Sequence, residues 1–562
     1  MIRIHSPMSA PHSSEASAAN DDPKVKEIDV PLSRSLIWRL QREFYSRRGI
    51  RAWTDDKVPS FITSNPFIAE IYARIVASFL CDCAESRTQQ SAPISPENPL
   101  RIFELGAGTG KFACLFLRHL SDILRERGID AAAVRYCMTD CSESLVQSWR
   151  GNSHLAEFVQ SGTLQFDVIQ IGDEIKSPFL TGLNAKSSAA SPGPLVLIAN
   201  YVFDSLPQDA FVVQDGKILE SLLTTSSTSV SAQERRDGQA ALHVDTLSQL
   251  QLSYRNVPIP TNRYQESRWN DILEIYRGRL PGATILFPCA ALETLRDLAG
   301  FTDGRMLVLA ADKGYVHETD LTSSQGLPAL EWHSADCFSQ MVNFDAIGKY
   351  FQSIGGDALI PGKHSASLNI CAFLRGRLGD HYAATKAAYR ASASEDAFGP
   401  DDLFTLLAWL NAHMEEMTVP QILSTLRLTR WDPVAFMRLF PVLGRQVRNV
   451  AREREDLKDA IQRTWANHYP VTADENALAF QCGVILLELR FFEGAMAMFL
   501  ISQKVLGPSA ATSYNLGLCS QGLNRTSEAL AFMTEACNLD PKFEPARVQR
   551  GKLEQASRPG PV

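Results

Sequence analysis

The stretch Leu100-Arg-Ile-Phe-Glu-Leu-Gly-Ala-Gly-Thr-Gly-Lys111 constrains this chain more than any other. A short apolar run ends on the carboxylate of Glu104, and Gly106, Gly108 and Gly110 then open a helix predicted from Phe112 to Leu124. Glycine suits a turn where the backbone bends sharply and a ligand must approach with no Cβ in the way. A dinucleotide fingerprint sets its third glycine one place later, where Lys111 stands, which disfavours a nicotinamide enzyme.

Around this loop the sequence alternates strand and helix signals. Val134–Asp140 reads as a second strand that again ends on a carboxylate, followed by a helix from Glu143 to Trp149. Leu164–Val168, Leu195–Ala199, Arg305–Ala310 and Ser367–Leu374 read as further strands, and the unbroken apolar run at 195–199 is what a parallel strand covered on both faces needs. This alternation predicts an α/β domain with parallel pairing. Before it come an amphipathic helix carrying Leu36, Leu40 and Phe44 on one face, and a second helix that Ser64 or Asn65 caps and Pro66 opens. Residues 86–99, 186–194 and 224–238 read as a linker, a spacer and a mobile insert.

From about Asp396 strand signals vanish. Gly483 and Gly517, Ala495 and Ala529, and Met498 and Phe532 are each 34 residues apart, the tetratricopeptide period of paired antiparallel helices. The expected organisation is a disordered tail over 1–28, an α/β domain with an N-terminal helical cap over 29–383, and an all-α helical-repeat domain over 384–562, clearest at 477–545. Stacked helix pairs predict a protein or peptide partner, and deleting 384–562 is expected to spare ligand binding in the α/β domain.

Composition narrows the function. A net charge of −8 without a Lys/Arg-dense run argues against nucleic acid or an anionic membrane surface. The 11 scattered cysteines lack CxxC pairs and no His shows metal-ligand spacing, so a cytoplasmic chain with reduced thiols and no metal is expected.

The GxGxG spacing after an acidic strand end resembles that of class I (Rossmann-like) S-adenosyl-L-methionine (SAM) methyltransferases. Other segments resemble motifs of the MidA-type methyltransferases, the family that includes the mitochondrial protein-arginine methyltransferase of complex I assembly. Phe61–Tyr72 resembles its entry segment, Ala199-Asn-Tyr-Val-Phe-Asp-Ser-Leu-Pro207 its "ANExxDALP", Asp312-Lys-Gly-Tyr315 its "DYG", and His333 with Val342–Asp345 its "H…VDF" pair. Tyr201 and Lys313 depart from that pattern by replacing an acidic residue and a tyrosine.

The resemblance implies SAM as cofactor and a protein or peptide acceptor, such as an arginine nitrogen. The alternative it leaves open is a catalytically silent SAM-binding scaffold. Gly106, Gly108 and Gly110 are expected to let the loop approach the cofactor, with Glu104 on its ammonium, Asp140 on its ribose hydroxyls and Asp167 on its adenine amino group. All three cofactor groups are donors, and ionised carboxylates only accept. Asn200, Tyr201 and Asp204 are the expected catalytic residues, with Asp204 the proton acceptor and His333 its rival.

Overall fold

The computed structural model describes residues 24–51, 62–85, 93–172, 175–181, 193–227, 247, 250–322, 326, 330–333, 337–362, 368–376, 381–393 and 397–556. The expected tail up to residue 23, most of the spacer at 186–194 and the insert from 228 to 238 lie outside them.

Strands are numbered β1 to β16 in chain order. Seven of them, β2 (Leu100–Leu105), β3 (Val134–Asp140), β4 (Leu164–Val168), β5 (Leu195–Asn200), β10 (Met306–Asp312), β15 (Asp357–Leu359) and β16 (Asn369–Arg375), form the central sheet. Its order is β15–β16–β10–β5–β2–β3–β4. The five strands from β10 to β4 are parallel, and β16 runs antiparallel beside β10.

Both faces of this sheet are buried, which explains its near-continuous apolar strands. Ile102, Tyr136, Met138, Val196 and Ile198 pack on one side against helices α2 (Pro66–Glu85), α3 (Lys111–Glu126) and α4 (Glu143–Arg150). Phe103, Leu105, Leu197, Ala199 and Val308 pack on the other against the helices Ser267–Arg279, Cys289–Ala299 and Phe344–Ser353. Asn65 caps α2, its side-chain oxygen accepting from the Ile68 N–H at 3.0 Å.

A second sheet of five strands pairs β1 (Lys24–Val30), β7 (Lys217–Ser227), β6 (Asp209–Gln214) and β9 (Thr284–Phe287) in that order, with β8 (Leu250–Pro258) also on β7; every pairing is antiparallel. Two short pairings, β11 (Gly314–Tyr315) with β14 (Val342–Asn343) and β12 (Glu331–His333) with β13 (Cys337–Ser339), complete the strands among the described residues. Residues 24–28, expected as tail, are thus strand, and β7 carries ordered ladder into the expected insert as far as Ser227. Helix α1 (Leu36–Arg48) packs on this second sheet, with Ile37, Trp38 and Leu40 beside Ala210, Leu223 and Phe338.

The C-terminal helices do not begin a separate body at 384. Helix α5 (Ala383–Ala393) packs on α2, and the Asp82 carboxylate accepts from the backbone N–H groups of Ala384 and Thr385 at 3.1 and 2.7 Å. The Tyr389 hydroxyl donates to the Ile370 carbonyl of β16 at 2.9 Å. Beyond it, antiparallel neighbours pack in pairs, Leu478–Glu488 with Phe492–Leu506 and Ala510–Gly522 with Thr526–Leu539. The residues at 34-residue spacing lie at these contacts: a Cβ on Gly483 would meet the Phe499 ring at 2.8 Å, and one on Gly517 would meet Met533 at 2.7 Å. Among the described residues no helix is long and apolar enough to cross a membrane.

Candidate functional site

Strand order reverses direction around β2 and β5, since the chain proceeds from β2 to β3 and β4 on one side and from β5 to β10 on the other. Open α/β sheets bind ligands outside the carboxyl ends of their strands at such a point. A cleft with about 1250 Å³ of empty space, its open mouth included, lies there. It is lined by Glu104–Thr109, Thr139–Cys141, Ile169–Ile171, Asn200–Val202 and Ser205–Pro207, together with residues of α1.

The glycine loop is built as its sequence requires. Gly106, Gly108 and Gly110 have φ of 62°, 54° and 79°, the left-handed region that side chains with a Cβ rarely adopt. Gly106 and Gly108 line the cleft. Gly110 does not: a Cβ there would meet the Met138 side chain at 2.8 Å and the Tyr469 hydroxyl at 2.9 Å, so it serves packing behind the loop. The Gly108 N–H donates to Asp140 Oδ2 at 3.2 Å and the Trp149 indole donates to the Gly108 carbonyl at 3.0 Å, holding the loop from two sides.

Glu104 and Asp140 are the two carboxylates among the described residues of the lining. Glu104 is 3% exposed and accepts from the Tyr136 hydroxyl at 2.9 Å. Burial pushes its carboxyl up to about 8 against the help of that hydroxyl, and the charge of Asp140 adds to the rise. Asp140 accepts from the Ser142 N–H at 3.1 Å as well as from Gly108; burial raises it, and these bonds oppose the rise. A buried acceptor pair at the floor of an open cleft fits a ligand that brings donors and positive charge. The ammonium and ribose hydroxyls of SAM are such donors.

Asp167 is not brought into the cleft. Its carboxylate accepts from the Ser177 hydroxyl at 2.6 Å and the Val168 N–H at 2.9 Å, and Ile169, Gln170 and Ile171 occupy the lining where this strand ends.

Asn200 and Tyr201 line the cleft, whereas Asp204 lies buried beneath it. Tyr201 sits at a φ of 51°, a strained position for an aromatic residue. Asn200 Oδ1 accepts from the Tyr72 hydroxyl at 2.8 Å, which leaves its amide nitrogen without a protein partner among the described residues. Asp204 connects to the cleft through Ser205, a lining residue whose hydroxyl donates to Asp204 Oδ1 at 2.9 Å. Behind it, the Asp204 N–H donates to Asp312 Oδ2 at 3.1 Å. Burial and the adjacent Asp204 push Asp312 well above the carboxylate range, and burial pushes Asp204 up to about 6. His333 is outside the lining and shares its Nε2 with the Ser339 hydroxyl at 2.7 Å; Lys313 pairs with Glu331 at 2.8 Å.

Sequence reasoning missed α1 as a wall of the site. Trp38, Gln41, Arg42 and Tyr45 all line the cleft, at i, i+3, i+4 and i+7. That stripe lies beside the Leu36–Leu40–Phe44 stripe, so a second face with helical period was there to be read.

No curated protein matches the chain. Two solved structures from Burkholderia thailandensis align with 62% of it at 15% identity: a native uncharacterised superfamily protein (87% of that chain, TM-score 0.37) and a candidate methyl transferase bound to S-adenosyl-homocysteine (88% of that chain, TM-score 0.38). Residues 81–343, somewhat under half of the chain, match the profile of a family described as "Putative S-adenosyl-L-methionine-dependent methyltransferase". That segment holds the glycine loop, Glu104 and Asp140, and S-adenosyl-L-methionine is the cofactor that this family match supports.

Proposed function

We propose that this chain transfers a methyl group from SAM to a protein or peptide acceptor, in a class I, Rossmann-like domain of MidA type. The observation that carries the reading is the left-handed glycine loop facing the buried Glu104–Asp140 pair at the sheet's switch point. Glu104 would hold the cofactor's ammonium, Asp140 its ribose hydroxyls, and Gly106 and Gly108 would admit its backbone-facing edge. When bound, SAM supplies an electrophilic methyl on a sulfonium.

The residues around it orient the acceptor and take its proton. A nitrogen or oxygen nucleophile loses a proton on methylation, and Ser205 offers a route for it from the cleft to Asp204. Trp38, Tyr45 and Tyr201 exclude water from that half of the cleft. The amides of Gln41 and Asn200, each with a buried nitrogen lacking a partner among the described residues, and the guanidinium of Arg42 present donors there. Those donors suit an acceptor carrying carbonyl or carboxylate oxygens more than a bare guanidinium, itself only a donor. The helical pairs beyond Leu478 would recruit the partner as tetratricopeptide-like repeats, in the cytoplasm.

A second reading, a SAM-binding scaffold without turnover, draws on the lack, among the described residues, of a cleft-lining carboxylate on the acceptor side. Calorimetry with SAM followed by transfer of its labelled methyl into lysate proteins separates the two. Saturable binding with label in a protein band supports the enzyme; binding with no label in any protein or peptide fraction supports the scaffold; no binding overturns both.

A further inference from the structure

The glycine loop is held from behind by a segment outside the matched family region. After the helix Arg454–Ala466 the chain turns back into the α/β core, where Tyr469 is 2% exposed. Its hydroxyl donates to the Thr109 carbonyl at 2.8 Å and accepts from the Asn152 amide at 2.8 Å. Thr109 is the residue between Gly108 and Gly110, and it lines the cleft. Two residues on from Thr109, Lys111 pairs with Glu475 at 3.0 Å, the two side chains being 8% and 13% exposed. Arg118, further along α3, donates to the carbonyls of Ala466 and His468 at 2.6 and 3.2 Å. A Cβ on Gly110 would meet the Tyr469 hydroxyl at 2.9 Å as well as the Met138 side chain at 2.8 Å.

We infer that Tyr469 and Glu475 are positioning residues of the cofactor site, so that SAM affinity depends on the C-terminal helices being docked on the glycine loop. The inference rests on the reading of that loop as the SAM site. The physical reason is local. A buried carbonyl at Thr109 has Tyr469 as its partner, and losing that partner frees the loop to turn its peptide toward water. A buried ion pair at Lys111 fixes the first turn of α3, and breaking one partner strands the other charge. Neither residue touches the cleft, so both act through the loop. Because binding linkage is reciprocal, occupancy of the cleft will in turn tighten the docked segment.

The test uses the full chain. Tyr469→Phe keeps the ring and removes the hydroxyl, and SAM affinity by calorimetry is expected to weaken roughly five- to tenfold, one neutral hydrogen bond's worth. Arg448→Ala, which breaks an exposed pair with Glu488 within the helical domain, is the control and is expected to bind SAM as the wild type does. Hydrogen exchange supplies the readout that a merely structural role would not move: saturating SAM is expected to slow the amides of 466–475 in the wild type, and less so in Tyr469→Phe. A Tyr469→Phe protein that binds SAM with wild-type affinity overturns the inference whatever happens to its Tm. A wild-type chain that does not bind SAM overturns the cofactor reading, and this inference falls with it.

Discussion

The two halves of the cleft are built on different principles. The cofactor half is assembled from consecutive residues at the ends of adjacent parallel strands, with buried carboxylates, left-handed glycines and short-range hydrogen bonds. The half proposed to receive the acceptor is assembled from parts distant in sequence, α1, the 63–64 turn and residues 200–202 and 205–207, and presents amides, aromatic rings and a guanidinium. On the proposed function, one half meets a ligand of fixed chemistry and the other meets the acceptor. Changes on the first should therefore alter affinity for SAM, and changes on the second should alter turnover alone.

The largest expected effect is Gly108→Val. A β-branched residue at a φ of 54° costs about 1–3 kcal/mol and places its side chain in the cleft, so SAM binding by calorimetry is expected to vanish. Next comes the acceptor half: Asp204→Asn or Ser205→Ala is expected to lower methyl transfer on the order of 100-fold while leaving SAM affinity within about twofold. A parallel loss of affinity would break the comparison. Asp140→Asn should do the reverse, weakening SAM on the order of tenfold or more by removing charge-assisted bonds, with turnover at saturation little changed.

A smaller effect concerns pH. Glu104 is raised from 4.5 to about 8 in the fold, so its protonated form stabilises the ligand-free protein. That contribution is fully present below 4.5 and is lost as pH rises through about 8. The ligand-free Tm is expected to fall between pH 5 and 8 more for the wild type than for Glu104→Gln, and SAM to recover it at pH 8. The smallest effect is Asp167→Ala, expected to leave SAM affinity within about twofold; a marked loss would return Asp167 to the site.

The same contrast explains what the sequence disclosed. The central strands were legible because burial on both faces leaves continuous apolar runs such as Leu195–Ala199. Glu104, Asp140 and the first two glycines were legible because loop geometry restricts residue type at each position. The second sheet was not: β7 ends in Thr and Ser, and the alternation of Leu250, Leu252 and Tyr254 in β8 is easily passed over beside a Ser-rich stretch. The motif alone places Gly110 at the ligand because it does not say which neighbour forbids a Cβ. Lys111 served to exclude one cofactor class, and its role beside Glu475 is visible only once residues 364 apart in sequence are brought together. In the sequence Asp167 reads as a strand-end carboxylate facing a ligand, but the register pairs it with Thr139, one residue short of the edge where Asp140 sits.

The pairing of β10 with β16 carries a consequence for anyone cutting this chain. The recognisable family segment stops at residue 343, yet the strand that completes β10 spans Asn369–Arg375, and the helix bonded to it through Tyr389 ends at Ala393. A fragment trimmed to the recognisable segment would leave the Met306–Asp312 ladder with an open row of backbone donors and acceptors, and such edges recruit other chains. Expression of 81–343 should yield aggregates where the full chain stays dispersed: the stretch that matches the family profile is shorter than the stretch that closes on itself.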